Sequence, residues 1–405
     1  MKKILFIHHG KGLGGAPLSL LYLVESLDTT KYTPIVLFLH HSEVIELFKE
    51  RGIQTVGPVN VYDFAHTKIW WFGWRHAHHL ARAIKDTIKT MLFIAPKILA
   101  HIKPDLVHLN TSSLLGWGIT ARKKNIPLVW HIREPLASGY FGIRKKIVQQ
   151  TVKRYADAIV PICKHDATPW AHNKKTHVVY NAVHEKYFNE KSDVTSFFAS
   201  HGVPKDDPKI LFVGGLSKEK GTLEILKIFQ KVLIKIPNAK LLLAGYLHKQ
   251  ALSWKQLIHR IYPASNYAHQ IHVLLEELGS SVIQLGSIRN IPAAMTASNV
   301  IVFPATVGHF ARPIIEAGFM KRPVVVSALA PLDELVIDDK TGFLVAINNH
   351  QLWAEKLCLL LTDKLLAQRM GNAAYAFCRE KFSLPEQVQK IEKIYTELLT
   401  KESHE

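Results

Sequence analysis

The strongest constraint on the fold is a unit that occurs twice, in which an apolar strand runs into a glycine-rich turn followed by a helix. The first copy has the strand Ile4–Ile7 and the loop Gly10–Pro17. The second has the strand Lys209–Val213 and the turn Gly214–Gly221. Such turns lie at the carboxyl edge of a parallel sheet, where α/β proteins bind ligands. Two copies predict two doubly wound domains.

Apolar strands continue this pattern as far as Val345, and the 405-residue chain is too long for one hydrophobic core. Strands are predicted at Ile4–Ile7, Thr33–Leu39, Asp105–Leu109, Pro127–His131, Ala158–Ile162, Val178–Val183, Lys209–Val213, Leu241–Gly245, Ser281–Ser287, Val300–Pro304, Pro323–Ser327 and Thr341–Val345. Helical stretches separate most of them, which predicts α/β parallel sheets with helices on both faces. The polar connection 184–208 places a domain boundary, so we expect domains at 1–184 and 185–384.

The first glycine loop is not a clean G-x-G-x-x-G, and no acid stands at the distance expected for a ribose. A dinucleotide site is therefore disfavoured. The loop either lines a ligand cleft or is only a tight turn, and the sequence leaves both open.

The net positive charge is concentrated in the first domain. Residues 1–184 contain 25 Lys and Arg against 11 Asp and Glu, and the remaining residues contain 26 against 22. This asymmetry points to an anionic partner: membrane headgroups, a lipid phosphate or nucleic acid. No apolar run approaches the ~20 residues of a membrane span, and three distant cysteines without C-x-x-C spacing favour a reducing compartment. We expect a cytoplasmic protein that can bind the inner face of the cell membrane.

The segment 68–101 carries a surface-binding pattern. An aromatic cluster, Ile69–Trp74, precedes a predicted helix. One face of this helix carries Leu80, Ile84, Ile88, Met91, Leu92 and Ala95, and an adjoining arc carries Arg75, Arg82, Lys85 and Lys89. A basic amphipathic helix behind tryptophans is typical of an interfacial membrane contact. A helix packed on its own sheet with solvated lysines is the alternative.

Several histidines are adjacent in sequence but lack the partners that a metal site needs. His76, His78 and His79 point in different directions on a helix, and no acid or cysteine completes a set. The pairs His8-His9 and His40-His41 at strand ends are likewise expected to be solvated. We predict no metal site and no bound cofactor.

The most specific signal is the stretch Gly308–Gly318, which lies between two predicted strands. Pro313 suits the first turn of a helix, where its missing N–H costs nothing. The amides expected to be free there are those of Ala311, Arg312 and Ile314. With the helix dipole and the Arg312 side chain they would form an anion site, most naturally for phosphate. Glu316 could hold sugar hydroxyls, so this stretch predicts a nucleotide-sugar pocket.

Charged groups follow strands in both halves. Lys220 precedes a helix amino terminus, a natural place for a cation that meets a diphosphate, although it could be simply solvated. In Trp130–Pro135, the side chains of His131, Arg133 and Glu134 offer a hydrogen-bonding base, a phosphate clamp and an acid. A structural Arg–Glu pair is the alternative there.

These landmarks, in this order, resemble glycosyltransferase family four, the retaining sugar transferases of the GT-B fold. The motifs are Gly14-Gly15-Ala16, Asn181-Ala182-Val183, Phe212–Leu216 with Lys220-Gly221, Arg312–Gly318, Pro323-Val324-Val325 and Thr341–Val345. The resemblance covers nearly the whole chain. It implies two Rossmann-like domains that face each other across a cleft, with the acceptor bound by 1–184 and the nucleotide sugar by 185–384. It also implies that the C-terminal helix, within 385–405, packs back on the first domain.

The resemblance further assigns residue roles. Lys220 would contact the donor diphosphate, Glu316 the ribose hydroxyls, and His131 matches a histidine found near the sugar and acceptor. The expected catalytic residues are His131, Lys220, Arg312 and Glu316. The expected donor-binding residues are Gly14, Gly15, Gly214, Gly215, Lys220, Ser287, Ile288, Arg289, His309, Phe310, Ala311, Arg312, Pro313, Ile314 and Glu316. Arg133 and Glu134 are expected to bind the acceptor.

The sequence departs from the family pattern at two charged positions. Gly215 stands where an arginine is common, and Gly308 stands where the first acid of a Glu-x7-Glu signature belongs; Ala311 also replaces a usual glycine. Arg312 could replace the missing cation, and His309 could hydrogen-bond the sugar.

The expected reaction is metal-independent transfer of a hexosyl group, with retention, from a UDP- or GDP-linked sugar to a membrane lipid or lipid-linked glycan. A catalytically silent relative that binds a sugar or glycan is the first alternative, favoured by Gly215 and Gly308. A nucleic-acid binder rests on net charge alone and lacks a motif, so no nucleic-acid partner is expected. No G-x-S-x-G elbow supports a serine hydrolase.

Overall fold

The chain forms two compact units, each built on one six-stranded parallel sheet. The computed structural model describes residues 1–10, 14–64, 77–136, 142–188, 194–214, 217–245, 267–288 and 290–401. Unit 1 comprises Met1–Ala182 with Ser383–Glu405, and unit 2 comprises Val183–Phe382. The two doubly wound α/β sheets predicted from the sequence are thus confirmed. Architecture does not test the predicted acceptor- and donor-binding roles, which stay predictions.

Unit 1 has the strand order β3-β2-β1-β4-β5-β6. Its strands are β1 (Lys2–His8), β2 (Tyr32–Phe38), β3 (Gln54–Val56), β4 (Leu106–Leu109), β5 (Leu128–Ile132) and β6 (Ala158–Pro161). Its helices are α1 (Gly15–Glu25), α2 (Glu43–Glu50), α3 (Ala77–Lys89), a π-helical turn (Thr90–Ile94), α4 (Ala95–Ile102), α5 (Leu115–Lys123), α6 (Ile143–Tyr155) and α7 (Lys164–Ala167).

Unit 2 repeats the architecture with the order β12-β11-β10-β7-β8-β9. Its strands are β7 (Lys209–Val213), β8 (Lys240–Ala244), β9 (Val282–Gly286), β10 (Val300–Phe303), β11 (Val324–Ser327) and β12 (Gly342–Val345). Its helices are α8 (Val194–His201), α9 (Thr222–Lys235), α10 (Tyr267–Leu278), α11 (Ile291–Thr296), α12 (Arg312–Phe319), α13 (His350–Thr362) and α14 (Lys364–Phe382). The last helix, α15 (Leu384–Lys401), belongs to unit 1.

The central strands form because their runs of apolar residues are buried on both sheet faces, as parallel strands require. In unit 1, Trp117 and Trp130 are completely or almost completely buried in the core. Gly118 allows this packing, since a Cβ there would lie 2.5 Å from the Trp130 ring. In unit 2 the core is filled around Phe212, Phe229 and Trp353.

Local capping fixes where helices begin. The Asn290 Oδ1 atom accepts a hydrogen bond of 3.1 Å from the Ala293 amide at the start of α11. The Asn349 Oδ1 atom does the same for the Leu352 amide at the start of α13. Asparagine at this position satisfies an amide that the helix itself leaves without a partner.

Two strand predictions differ from the structure. The sequence did not predict β3, because its residues Gln54–Val56 are half-exposed or exposed and too few for a clear pattern. The predicted strand Val178–Val183 is wrong. The Val179 amide still donates to Pro161 O on β6 at 3.0 Å, but the Tyr180 amide turns to the Gln387 side chain on α15.

The helix predicted in 68–101 is present from Ala77, but its apolar face is not packed on the sheet. The exposed fractions of Ile84, Ile88 and Leu92 are 44%, 47% and 54%. The buried positions are Ala83, Thr90, Ala95 and Leu99. Apart from Leu99 these residues are small, and α5 approaches the helix closely: a Cβ at Gly116 would lie 2.8 Å from Thr87 O. The cluster Ile69–Trp74, Arg75, His76 and the side chains of His78, His79 and Leu80 lie outside the described residues.

Other expectations have mixed outcomes. His41 is exposed, as predicted, but His8 is completely buried, so the prediction of a solvated residue is wrong there. Cys163, Cys358 and Cys378 are buried free thiols. Within the described ranges, no helix combines the length and hydropathy needed to cross a bilayer.

Candidate functional site

The first candidate site lies at the carboxyl ends of β7 and β10 in unit 2, where Lys220 meets His309. The Nδ1–H group of His309 donates to Val307 O at 2.9 Å, since a carbonyl can only accept. The Nε2 atom of His309 therefore accepts a hydrogen bond from the Lys220 ammonium. Burial and the Lys220 charge lower the pKa of His309 to about 4, so this histidine is neutral at physiological pH.

Burial also lowers the pKa of Lys220 to about 8, and Glu219 offsets part of this effect. The Lys220 ammonium lies 5.3 Å from the centre of the Phe303 ring. The Lys220 ammonium therefore contacts a histidine acceptor and an aromatic face. A bound anion would add to these two contacts rather than replace them. Both ring nitrogens of His309 are engaged, so a bond from His309 to a sugar would require one of these contacts to break.

The glycine turn and the β10 loop are held together by backbone contacts. Gly221 has φ +78°, and a Cβ there would lie 1.8 Å from Pro304 O. The Thr306 amide donates to Glu219 O at 3.0 Å, and its hydroxyl donates to Lys218 O at 2.9 Å. Only glycine allows this approach, which places Lys220 beside the residues that precede α12.

Arg312 and Glu316 form an ion pair within α12. The Nε and Nη2 atoms of Arg312 donate to Glu316 Oε1 at 2.8 and 2.6 Å. The two side chains are 9% and 6% exposed, so the pair is almost completely buried. The predicted use of Arg312 as a phosphate cation stays a prediction, but much of its charge is already neutralised by Glu316.

The first turn of α12 departs from the expected set of free amides. The Ile314 amide donates to Ala311 O at 3.2 Å, so the expectation that this amide is free is wrong. Ala311 is the N-cap residue and makes no side-chain capping bond; Pro313 lies in the first turn, as predicted. Phe310 packs edge-on against Phe382, with 6.4 Å between the ring centres.

Gly308 lies against the loop that follows β11. A Cβ at Gly308 would be 1.9 Å from Ala330 O. No side chain fits there without a shift of the backbone, so an acid at this position would need a different loop arrangement. The glycine is thus part of a close backbone contact.

The remaining predicted donor-binding residues are less constrained. Gly214 is exposed with φ +126°, Ser287 is exposed, and Ile288 is half-buried. Gly15 begins α1 with Gly14 as its N-cap, and a Cβ on either would meet nothing within 4 Å. Gly215 and Arg289 lie outside the described residues, as do residues 11–13 of the first glycine loop.

A second candidate site lies at the carboxyl ends of β1, β4 and β5 in unit 1. Arg133 Nε donates to Asn110 Oδ1 and Arg133 Nη1 donates to Asn181 Oδ1, both at 2.5 Å. Asn110 Nδ2 in turn donates to His8 Nδ1 at 3.0 Å. Arg133 is only 8% exposed, and its charge acts to lower the pKa of Glu134 against the effect of burial.

His131 belongs to a neighbouring hydrogen-bond chain. Its Nδ1 atom lies 3.0 Å from His108 Nε2, and His108 Nδ1 lies 2.6 Å from the Tyr395 hydroxyl on α15. Burial, followed by the charge of Arg133, lowers the pKa of both histidines well below the usual value. Burial raises the pKa of Tyr395 well above its usual value.

Glu134 accepts a hydrogen bond from the Thr111 hydroxyl and a longer one, 3.4 Å, from the Ser112 amide. Burial raises the pKa of Glu134 to about 7, against these two bonds. Its carboxyl group can therefore exchange a proton near neutral pH.

Sequence reasoning missed His8, His108, Asn110 and Tyr395 as members of this cluster. Each of His8, Asn110 and His131 is a polar residue at the end of a buried strand. This shared position could have grouped His8 and Asn110 with His131 in one predicted site. Tyr395 is 287 residues from His108, and no sequence pattern joins them.

Two family models match the chain. One, described as Glycosyltransferase Family 4, matches residues 13–187; the other, described as Glycosyl transferases group 1, matches residues 193–377. Together they cover most of both units.

Curated relatives match over a shorter stretch. A trehalose synthase from Thermococcus litoralis is 28% identical over 204 residues, which is 49% of this chain and 47% of the relative. The capsular polysaccharide biosynthesis glycosyltransferase CapM from Staphylococcus aureus is 26% identical over 199 residues, 49% of this chain and 48% of the relative. The chain spans about half the length of the curated relatives it matches.

Solved structures match over the full length. HepE from Anabaena in complex with UDP-glucose has a TM-score of 0.77 and 20% identity, covering 98% of this chain and 100% of that one. The lipopolysaccharide glycosyltransferase WaaG has a TM-score of 0.65 and 12% identity, covering 96% and 99%. At these identities the likeness concerns the fold, which is GT-B. With both halves matched by family models, the chain belongs to glycosyltransferase family four.

Proposed function

We propose that the protein is a metal-independent, retaining hexosyltransferase that uses a nucleoside diphosphate sugar and an acceptor at an anionic membrane surface. The observation that carries the proposal is the Lys220 ammonium, held by His309 next to the amino end of α12. In a chain of this family, that cation faces the charge that develops on a leaving diphosphate. Such preorganised positive charge is commonly the largest part of catalysis.

Lys220 suits this role because only one of its three N–H groups is used by His309. The others remain for phosphate oxygens, and the amino end of the α12 dipole adds positive potential. Since protein groups supply the positive charge, we expect transfer to persist after chelation of divalent metals.

Glu316 suits a role at the ribose. Arg312 Nε and Nη2 both donate to Glu316 Oε1. Arg312 therefore orients the carboxylate, whose oxygens can accept hydrogen bonds from sugar hydroxyls.

The proposed acceptor rests on the surface of α3, which we call the α3 surface: Ile84, Ile88, Leu92 and Phe93 beside Arg82, Lys85 and Lys89. Ile143 and Ile147 on α6 are also exposed. Apolar side chains with flanking cations fit the interface of an anionic bilayer. We propose a lipid or lipid-linked glycan as acceptor, in cell-surface polysaccharide or glycolipid synthesis; CapM and WaaG, named for such pathways, support this.

Vesicle binding tests the acceptor surface. The full chain should co-sediment with phosphatidylglycerol vesicles more than with phosphatidylcholine vesicles, and the double variant Ile88→Asp, Leu92→Asp should lose this preference. Ile234→Asp is the matched control, because Ile234 is 80% exposed on unit 2. Equal binding by both variants would remove the α3 surface from the proposal.

Thermal shifts with UDP, GDP, ADP and their sugars test the donor. A bound nucleotide sugar should stabilise the protein by about 3 kcal/mol at a hundredfold excess over Kd. Release of nucleotide in the presence of lipid acceptor would then establish transfer. A shift without hydrolysis or transfer would favour the alternative, a silent sugar- or glycan-binding relative, which the close contact of Gly308 with Ala330 supports because it leaves no place for an acid.

A further inference from the structure

Two buried histidines at the carboxyl ends of the unit 1 strands each have a ring nitrogen without a hydrogen-bond partner among the described residues. The β1–β4 and β4–β5 registers put His8, Asn110 and His131 at one level across three adjacent strands. His8 and His131 are then about two strand spacings, ~10 Å, apart. Both are buried, and the Nε2 atoms of both lack a hydrogen-bond partner among the described residues. An unpaired buried polar atom is costly, which makes these two a candidate ligand site.

One hydrogen-bond chain determines where the proton of His131 resides. The Tyr395 hydroxyl is buried, and His108 Nδ1 is the acceptor that the structure gives it. If Tyr395 donates, His108 carries its proton on Nε2 and donates to His131 Nδ1. His131 must then carry its own proton on Nε2. The reverse direction would leave the buried phenol hydrogen without an acceptor.

A separate chain determines the proton position of His8. Arg133 can only donate, so Asn110 Oδ1 is the acceptor and Asn110 Nδ2 is the donor. That amide donates to His8 Nδ1. His8 therefore also carries its proton on Nε2.

We propose that the two chains hold His8 and His131 as Nε2–H tautomers, forming a preset pair of hydrogen-bond donors for oxygen atoms of a ligand. Tyr395 on α15 and Asn110 on β4 are the positioning residues. Burial lowers the pKa of both histidines well below the ordinary value, in keeping with neutral rings. Only the identification of the ligand with a sugar donor or acceptor rests on the proposed function.

The chemical consequence is that these histidines bind and orient rather than remove protons. A neutral Nε2–H group donates to a hydroxyl, ring or phosphate oxygen, but it has no lone pair with which to act as a base.

Long-range ¹H–¹⁵N correlation spectra of the ligand-free, ¹⁵N-histidine-labelled full chain test the tautomers without any transfer assay. The signals are assigned by their loss in His8→Asn and His131→Asn. We expect both rings to show a protonated Nε2 and an unprotonated Nδ1. A protonated Nδ1 on either ring in the unmodified protein would overturn the proposal.

Two substitutions test the chains reciprocally. Tyr395→Phe removes the donor to His108, so His131 should become a mixture of tautomers while the His8 signals stay unchanged. Asn110→Asp turns the donor to His8 into an acceptor, so His8 should change to the Nδ1–H form while His131 stays unchanged. A merely structural role would move both rings or neither, and either result would overturn the assignment.

The same spectra identify the ligand oxygen. Glucose and inorganic phosphate are added to the unmodified chain in separate titrations, and one of the two should move the Nε2–H signals. The compound that moves them identifies the ligand oxygen as that of a sugar or of a phosphate. Spectra unchanged by both at saturating concentration would overturn the ligand part of the proposal.

Discussion

The Lys220 ammonium makes donor binding depend on pH in a range where few other groups titrate. Burial lowers its pKa to about 8 in the free protein, and a bound diphosphate favours the charged form. Binding should therefore be strong below pH 8 and weaken as the pH rises through it. His309, with a pKa of about 4, stays neutral throughout and does not contribute.

The size of the effect follows from the fraction of Lys220 that is charged. With a pKa of about 8, Lys220 is about 90% protonated at pH 7 and about 10% at pH 9. If only the charged form binds, the Kd for UDP-glucose should rise about tenfold between these pH values, about 1.4 kcal/mol.

Isothermal titration calorimetry with UDP-glucose measures this directly, because its diphosphate has no terminal ionisable group. Lys220→Met should weaken binding at pH 7 and remove the pH dependence. Lys218→Met is the matched control, since Lys218 is exposed in the same turn and contributes its carbonyl rather than its ammonium. A Kd that stays constant from pH 7 to 9 in the unmodified protein, or a Lys220→Met variant with the same pH profile, would refute the reasoning.

Three further predictions concern stability, measured by urea unfolding. Arg312→Ala should lower the unfolding free energy by about 3–5 kcal/mol because it leaves the buried Glu316 carboxylate unpaired; adding Glu316→Leu should recover most of this, and no recovery would contradict the cause. Gly221→Ala should lower the unfolding free energy by about 1–2 kcal/mol for the left-handed backbone and by about 1–3 kcal/mol more for displacing the Pro304 carbonyl. Gly279→Ala is the control: Gly279 has φ +48° and open space around it, so this variant should show only the backbone cost. Burial raises the pKa of Glu134 to about 7, so the contribution of this group to the unfolding free energy is present at low pH and lost as the pH rises through 7. The unfolding free energy should fall by on the order of 3 kcal/mol at most between pH 5 and 8. Glu134→Gln should remove this decline.

The sequence predicted the architecture well because the buried strands are unbroken apolar runs. Lys209–Val213 and Val300–Phe303 are flanked by polar turns, so their position in a parallel sheet follows from composition alone. Val178–Val183 was also predicted as a strand, yet the segment bonds to β6 only through its first residues and forms no strand of its own. An apolar run with buried residues is therefore not sufficient to predict strand pairing.

The roles of the candidate site residues stay predictions, and the contacts among these residues were not predicted from the sequence. The sequence analysis assigned Arg312 to phosphate and Glu316 to sugar hydroxyls, whereas the structure pairs the two side chains, which their four-residue spacing on a helix allows. The contact of Lys220 with His309 could not be read from the sequence, because the residues are 89 positions apart and meet only through the sheet order. The exposure of the apolar face of α3 could not be predicted either, because periodicity shows which residues share a face but not which face is covered.

The return of α15 to unit 1 has a consequence for biosynthesis. During translation, all of Val183–Phe382 leaves the ribosome before Leu384–Lys401 does, so unit 2 can complete its core first. Until then, His108 lacks the Tyr395 hydroxyl and the Asp28 amide lacks its Glu392 acceptor. Part of the core of unit 1 therefore stays uncovered during synthesis until Leu384–Lys401 has been made.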